Sequence, residues 1–161
     1  MTTAFDILIG LLDRHGVRYR LIEHAPEGRT VVASRLRGHP LRKAAKCMVV
    51  SVDSGRRYAL TVVPGEHRVD LDAVARATGG HRGRLAPRET AEQLTGCVRG
   101  SIVPFALRAG ALEVLADPWL IEQDELFFNA GCLDRSIALR TSDYLEIARP
   151  RLEPVALPTG D

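Results

Sequence analysis

The 161 residues, 45% hydrophobic and 26% charged, suit one domain with its own core. No apolar run approaches the roughly 18 residues of a membrane span, and the N-terminal stretch, with Asp6 inside it and no basic region or small-residue cleavage site, is not a secretory signal. The net charge of +2 hides an asymmetry: residues 14–88 carry 16 Lys/Arg against 6 Asp/Glu and residues 89–161 carry 6 against 12, so one side of the molecule is suited to a polyanion.

Thr2 or Thr3 caps a predicted helix over residues 4–15, whose apolar stripe is Phe5, Leu8, Ile9, Leu11 and Leu12, and Gly16 ends it. The alternation in "VRYRLIEH" predicts a half-buried strand with Val17, Tyr19 and Leu21 on its inner face. After the loop "APEGRT", Thr30 is placed as the cap of a short helix to Arg37, which "GHPL" breaks. "AKCMVVSV" and "YALTVVPG" form an antiparallel pair around the turn "DSGRR". Asp70 caps the helix "LDAVARATGG", "RGRL" is a short strand, and a helix from Pro87 stops at Gly96.

From Cys97 to Gly110, Gly100 and Pro104 interrupt strand-like residues, so this segment is a loop that shapes a site. "ALEVLAD", "ELFFNAG" and "SIALR" are strands, with a helical turn at Pro118–Ile121 and a final helix from Thr141 to Ala148. The expected fold is α+β: one domain, residues 1–149, with a mixed, largely antiparallel, barrel-like sheet flanked by helices. Residues 150–161 are expected as a loosely attached C-terminal tail.

Three widely spaced cysteines, Cys47, Cys97 and Cys132, fit free thiols in a reducing compartment, which places the protein in the cytoplasm. Neither a CxxC nor a paired Cys/His motif suggests a metal, and no Walker loop or GxGxxG suggests a nucleotide cofactor. Lys46 stands out at the entrance of a buried strand. Twenty of the 22 cations are Arg, so a Lys at that position hints at a need for a compact ammonium. Taken alone, it also fits a snorkelling strand-edge cation. Cys47 beside it is read as a core residue, because neighbouring strand residues face opposite ways.

Lys46 in "AAKCMVV", the Gly100–Phe105 loop "GSIVPF", and Phe127–Gly131 "FFNAG" occur together in an order and spacing that resembles the YbaK/ProX family of trans-editing aminoacyl-tRNA deacylases, also found as the insertion domain of bacterial prolyl-tRNA synthetases. The likeness runs from about residue 5 to 147 and includes "VVPGEHRVDLDAVARATGG". It implies that Lys46 is the essential active-site residue. It further implies that Gly100 and Pro104 line the aminoacyl pocket, with no metal and no cofactor; Thr30, whose first reading is a helix cap, Ser101, Asn129 and Gly131 are the other candidate substrate-binding residues. Asn129 falls where some members have Ser, and Ser136 where some have Asp, so no role is carried over for that carboxylate.

The resemblance implies hydrolysis of the ester of a mischarged aminoacyl-tRNA, with the acceptor end as ligand and an aminoacyl-tRNA synthetase as a possible partner. Lys46 serves either as an ammonium, for the terminal phosphate or the developing negative charge, or as a base toward water. An apolar pocket around Gly100, Ile102, Val103 and Pro104 would select a small residue such as Ala, Ser or Cys. The alternatives are a non-catalytic module that binds tRNA or a synthetase, and a hydrolase that uses Cys47 or a histidine-bound metal.

Overall fold

The computed structural model describes residues 2–108, 110 and 112–158. Ala109 of the expected shaping loop, Ala111 of the expected strand "ALEVLAD" and residues 159–161 of the expected tail lie outside the described residues. Helix α1 (Ala4–Arg14) opens on a capping box in which Thr3 and Asp6 each accept the other's backbone N–H. Strand β1 (Tyr19–Glu23) and helix α2 (Thr30–Arg37) follow. Then come β2 (Ala45–Val52) and β3 (Arg57–Pro64), paired antiparallel in the expected hairpin. Helix α3 (Leu71–Ala77), capped by Asp70, leads to β4 (Gly83–Leu85), α4 (Arg88–Thr95) and β5 (Glu113–Ala116). Strands β6 (Glu125–Asn129) and β7 (Arg135–Arg140), helix α5 (Thr141–Ala148) and β8 (Arg151–Leu152) complete the order.

The strands form two sheets. One has the order β1-β7-β6 and is antiparallel; the other, β4-β2-β3-β5-β8, is mixed, with β3–β5 and β5–β8 parallel. The α+β architecture is therefore as expected. The described ladders do not close into a barrel, because the two sheets are joined only by an isolated parallel bridge between Ala44 and Phe127 among the described residues.

Alternation on β3 sends Val62 into one apolar cluster and Val63 into another, so the larger sheet is buried on both faces. The main cluster joins Leu8 and Leu12 of α1 to Phe128, Ile137, Leu139 and Tyr144. The second seats Val74 and Ala75 of α3 on Val50, Val52 and Leu115. Strand β1 departs from its predicted alternation: Leu21 is exposed and Ile22 half-buried, as suits an edge strand covered on one side only.

Residues 151–157 are not loose. Strand β8 runs parallel beside β5, Val155 is fully buried, and the buried Asp117 carboxylate accepts the backbone N–H groups of Val155 and Ala156 at 3.0 and 2.9 Å. The backbone N–H of Asp70 donates to the Val155 carbonyl at 2.7 Å. A two-residue strand and one buried valine among prolines leave no period to read in the sequence, which is why the docking was not expected.

Candidate active site

Strand β4 pairs with β2 only at residues 50–52, and one further bond runs from the Ala86 N–H to the Val49 carbonyl. The first half of β2 is therefore held by β3 on one side and has an open edge on the other. Opposite it stands β6, whose other edge is paired with β7. The two strands set out in the same direction from the Ala44–Phe127 bridge and then part. The fork is a cleft of about 780 Å³, walled by β2, α2, α4, the Arg99–Ile102 loop and the end of β6.

Lys46 lies on the β2 prong. Its side chain is half-buried and has neither a hydrogen bond nor an ion-pair partner among the described residues. Burial, with a smaller contribution from Arg68, lowers its pKa from the ordinary lysine value. Lys43, the other lysine, is conventional by comparison, since its ammonium meets Asp124 at 3.0 Å. An ammonium that gives up water without gaining a carboxylate is available to a ligand.

Gly100 forms the opposite wall. Its φ is +86°, and a Cβ there would come within 2.6 Å of Gly28 Cα, so the Gly28 and Gly100 strands of backbone touch because neither residue has a side chain. The N–H groups of Gly100 and Ile102, both lining residues, have no acceptor among the described residues. Main-chain donors left open on the wall of a cleft can receive a developing negative charge.

Asn129 also borders the cleft, yet its amide is fully engaged. Nδ2 donates to the carbonyls of Glu27 and Gly100 at 2.8 and 2.9 Å, and Oδ1 accepts from Ser136 Oγ at 2.9 Å and from Arg37 Nη1 at 3.3 Å. The side chain thereby ties the two glycine-bearing loops to the end of β6. Ser136, fully buried behind it, also accepts from Arg37 Nη1 at 3.2 Å and lies 2.7 Å from His24 Nε2.

Thr30 lines the cleft, but as the first residue of α2; Arg29 occupies the cap position, and no side chain caps that end. The structure thus brings together Lys46, Thr30, Gly100 and Asn129. It leaves out Ser101, Pro104 and Gly131. Ser101 is fully buried, with Oγ donating to the Val98 carbonyl, and its own carbonyl accepts the Gly131 N–H at 3.1 Å. Gly131, at φ +76°, lies against Ala4 and Phe5 and seats α1. Pro104 and Val103 are buried beneath the loop, so only Gly100 and Ile102 of the expected apolar pocket reach the cleft.

Cys47 borders the cleft at the open edge, while burial raises its thiol pKa well above the ordinary value and the side chain packs against the main core. That environment disfavours a thiolate nucleophile. No group of three or more His, Cys, Asp or Glu side chains that could hold a metal ion occurs among the described residues. The cleft lining carries five basic side chains, Arg29, Arg37, Lys46, Arg88 and Arg99, against one acid, Glu92. Arg37 was invisible in the sequence: it is one of many arginines, and its partners Asn129 and Ser136 are 92 and 99 positions away.

A family model described as an aminoacyl-tRNA editing domain matches residues 25–147. The multifunctional Ser/Thr-tRNA deacylase ProXp-y of Escherichia coli (strain K12) is 39% identical over 148 residues, which cover 90% of this chain and 88% of that protein. Among solved structures, the hypothetical protein APE2540 superposes with a TM-score of 0.85 at 20% identity, over 94% of this chain and 99% of that one. A candidate trans-editing enzyme for prolyl tRNA synthetase superposes at 0.82 with 21% identity, over 98% and 99%. At such identities these two likenesses speak for the fold alone. No helix among the described residues is long and apolar enough to cross a membrane.

Proposed function

The chain belongs to the aminoacyl-tRNA editing domain family, and from that premise we propose that it hydrolyses the ester of mischarged aminoacyl-tRNA in the fork between β2 and β6. The observation that carries the reading is the unpaired, half-buried Lys46 ammonium in the same cleft as the open N–H groups of Gly100 and Ile102.

A water oxygen adds to the ester carbonyl, and the carbonyl oxygen becomes an oxyanion that accepts hydrogen bonds from the loop N–H groups. Collapse of the tetrahedral species breaks the bond to the ribose oxygen, which takes up the proton given up by the attacking water, and the products are the free amino acid and uncharged tRNA. Lys46 acts as an ammonium that stabilises negative charge on the reacting end. Its lowered pKa also allows the competing role of base, and the two differ in pH dependence.

The named activity of the Escherichia coli relative on Ser- and Thr-tRNA directs attention to serine and threonine. Ala33, Ala45 and Ala91 on the cleft wall leave room for a small acyl group. A cytoplasmic protein acting on released aminoacyl-tRNA, alone or beside a synthetase, fits this reading.

The test is a panel of tRNAs charged with Ser, Thr, Ala or Cys, offered to the wild type and to Lys46→Ala. Hydrolysis of at least one substrate, lost in the variant, supports the proposal. Salt-sensitive tRNA binding without hydrolysis of any substrate would instead identify a binding module.

A further inference from the structure

Arg37 has no carboxylate within ion-pair distance among the described residues, although it is the most enclosed cation of the cleft wall, and desolvation lowers its pKa to about 10. The protein holds its guanidinium on two of the three nitrogens. Nε donates to His39 Nε2 at 2.9 Å, and Nη1 donates to Asn129 Oδ1 and Ser136 Oγ. His39 is suited to accept: its ring stacks on Phe127 with centroids 3.9 Å apart, Nδ1 lies 2.8 Å from the Pro40 carbonyl, and burial lowers its pKa to about 4. The neutral tautomer with the proton on Nδ1 leaves Nε2 free to receive the arginine. Nη2 has no acceptor among the described residues, so a charged fork is oriented by neutral groups and one nitrogen is left open at the cleft.

On the reading of the cleft as an aminoacyl-tRNA site, the ester is neutral and the amino group is basic, so the negative charge of the substrate end resides on its phosphates. We propose that Arg37 anchors the 5′-phosphate of the terminal nucleoside through Nη2, which fixes how far the acceptor end enters the fork. A guanidinium presents N–H groups in the plane that phosphate oxygens match, and with no competing carboxylate the phosphate becomes its counterion.

The probes are 5′-AMP, adenosine and inorganic phosphate, with binding followed by calorimetry on the wild type, Arg37→Gln, Arg37→Lys and Lys46→Met. The expected result is 5′-AMP bound at least about tenfold tighter than adenosine or inorganic phosphate by the wild type. That preference falls to about one in Arg37→Gln, is reduced in Arg37→Lys, and persists in Lys46→Met. No preference in the wild type, equal binding of inorganic phosphate, or a preference that survives in a cooperatively melting Arg37→Gln overturns the anchor. Should Arg37→Gln fail to fold, an undiminished preference in Arg37→Lys overturns it equally. Because no turnover is measured, an arginine-dependent preference in a chain that hydrolyses no mischarged tRNA sinks the function and spares the anchor, and hydrolysis without the preference does the reverse.

Discussion

Lys46 and Asn129 each stand two residues beyond the bridge that joins Ala44 to Phe127, one on either prong of the fork between β2 and β6. Because strand side chains alternate, both return to the face of the bridging pair. One prong carries a cation with no partner among the described residues, and the other ends in a saturated amide. The first is available to a ligand, and the second holds the walls.

Lys46→Met should reduce kcat by about a hundredfold or more if the ammonium faces the charge of the reacting end. Its Tm should equal or exceed that of the wild type, since the substitution removes a desolvated charge that has no partner. The pH–rate profile separates the two roles. An ammonium loses activity as pH rises through a pKa below the ordinary 10.5, whereas a base gains activity over that range. A rising limb that disappears in Lys46→Met would exclude the electrostatic role.

Gly100→Ala should damage both stability and turnover. A non-glycine residue at φ +86° costs about 1–2 kcal/mol, and the new methyl must also displace the Gly28 backbone. Pairing thermal melts with kcat/KM checks this; a variant with wild-type values would show that the two loops need not touch.

Asn129→Ala leaves the Glu27 and Gly100 carbonyls, Ser136 and Arg37 each short of a partner. The expected loss is about 1–3 kcal/mol of unfolding free energy for the buried groups. Hydrogen exchange should rise at residues around Gly28 and Gly100. Unchanged exchange in those loops would argue that they are held by something else.

Removing residues 150–161 should destabilise the domain rather than trim a tail. Burial of Val155 alone is worth about 1.5–3 kcal/mol, and the buried Asp117 carboxylate loses two of its backbone donors. Chemical denaturation of the truncated chain measures the loss, and an unchanged midpoint would contradict the docking.

Acid should weaken the fold through His39. Its folded pKa, about 4, lies below the usual 6.5, so between these values the unfolded chain binds the proton more readily. Stability therefore falls as pH drops through that window. From pH 6.5 to 5 the slope should shrink in His39→Gln, above the range where carboxylates such as Glu27, lowered to about 2, take up protons. Equal slopes in the two proteins would dissociate His39 from the effect.

Much of this molecule is legible along the chain because its causes are local. The capping box at Thr3, the Asp70 cap and the β2–β3 hairpin depend on residues a few positions apart, and period and turn chemistry report them directly. Lys46 could be singled out for the same reason: a cation entering an apolar strand is a local contradiction. The Gly100 loop was visible as an interruption, but the neighbouring Ser101 and Pro104 were not separable from it, since burial beneath a loop leaves no pattern in the letters.

What belonged to the tertiary structure alone is the meeting of distant segments. Local pattern sufficed for the α+β class, the strand that carries Lys46 and the break at Gly100. Only the folded chain decided that β2 and β6 part after the Ala44–Phe127 bridge, that Asn129 faces inward to its own loops, and that Arg37 meets no carboxylate among the described residues. The physical reason is that desolvation and hydrogen-bond saturation depend on which atoms surround a group in space, and for Arg37 those atoms come from residues some 90 to 100 positions later in the chain.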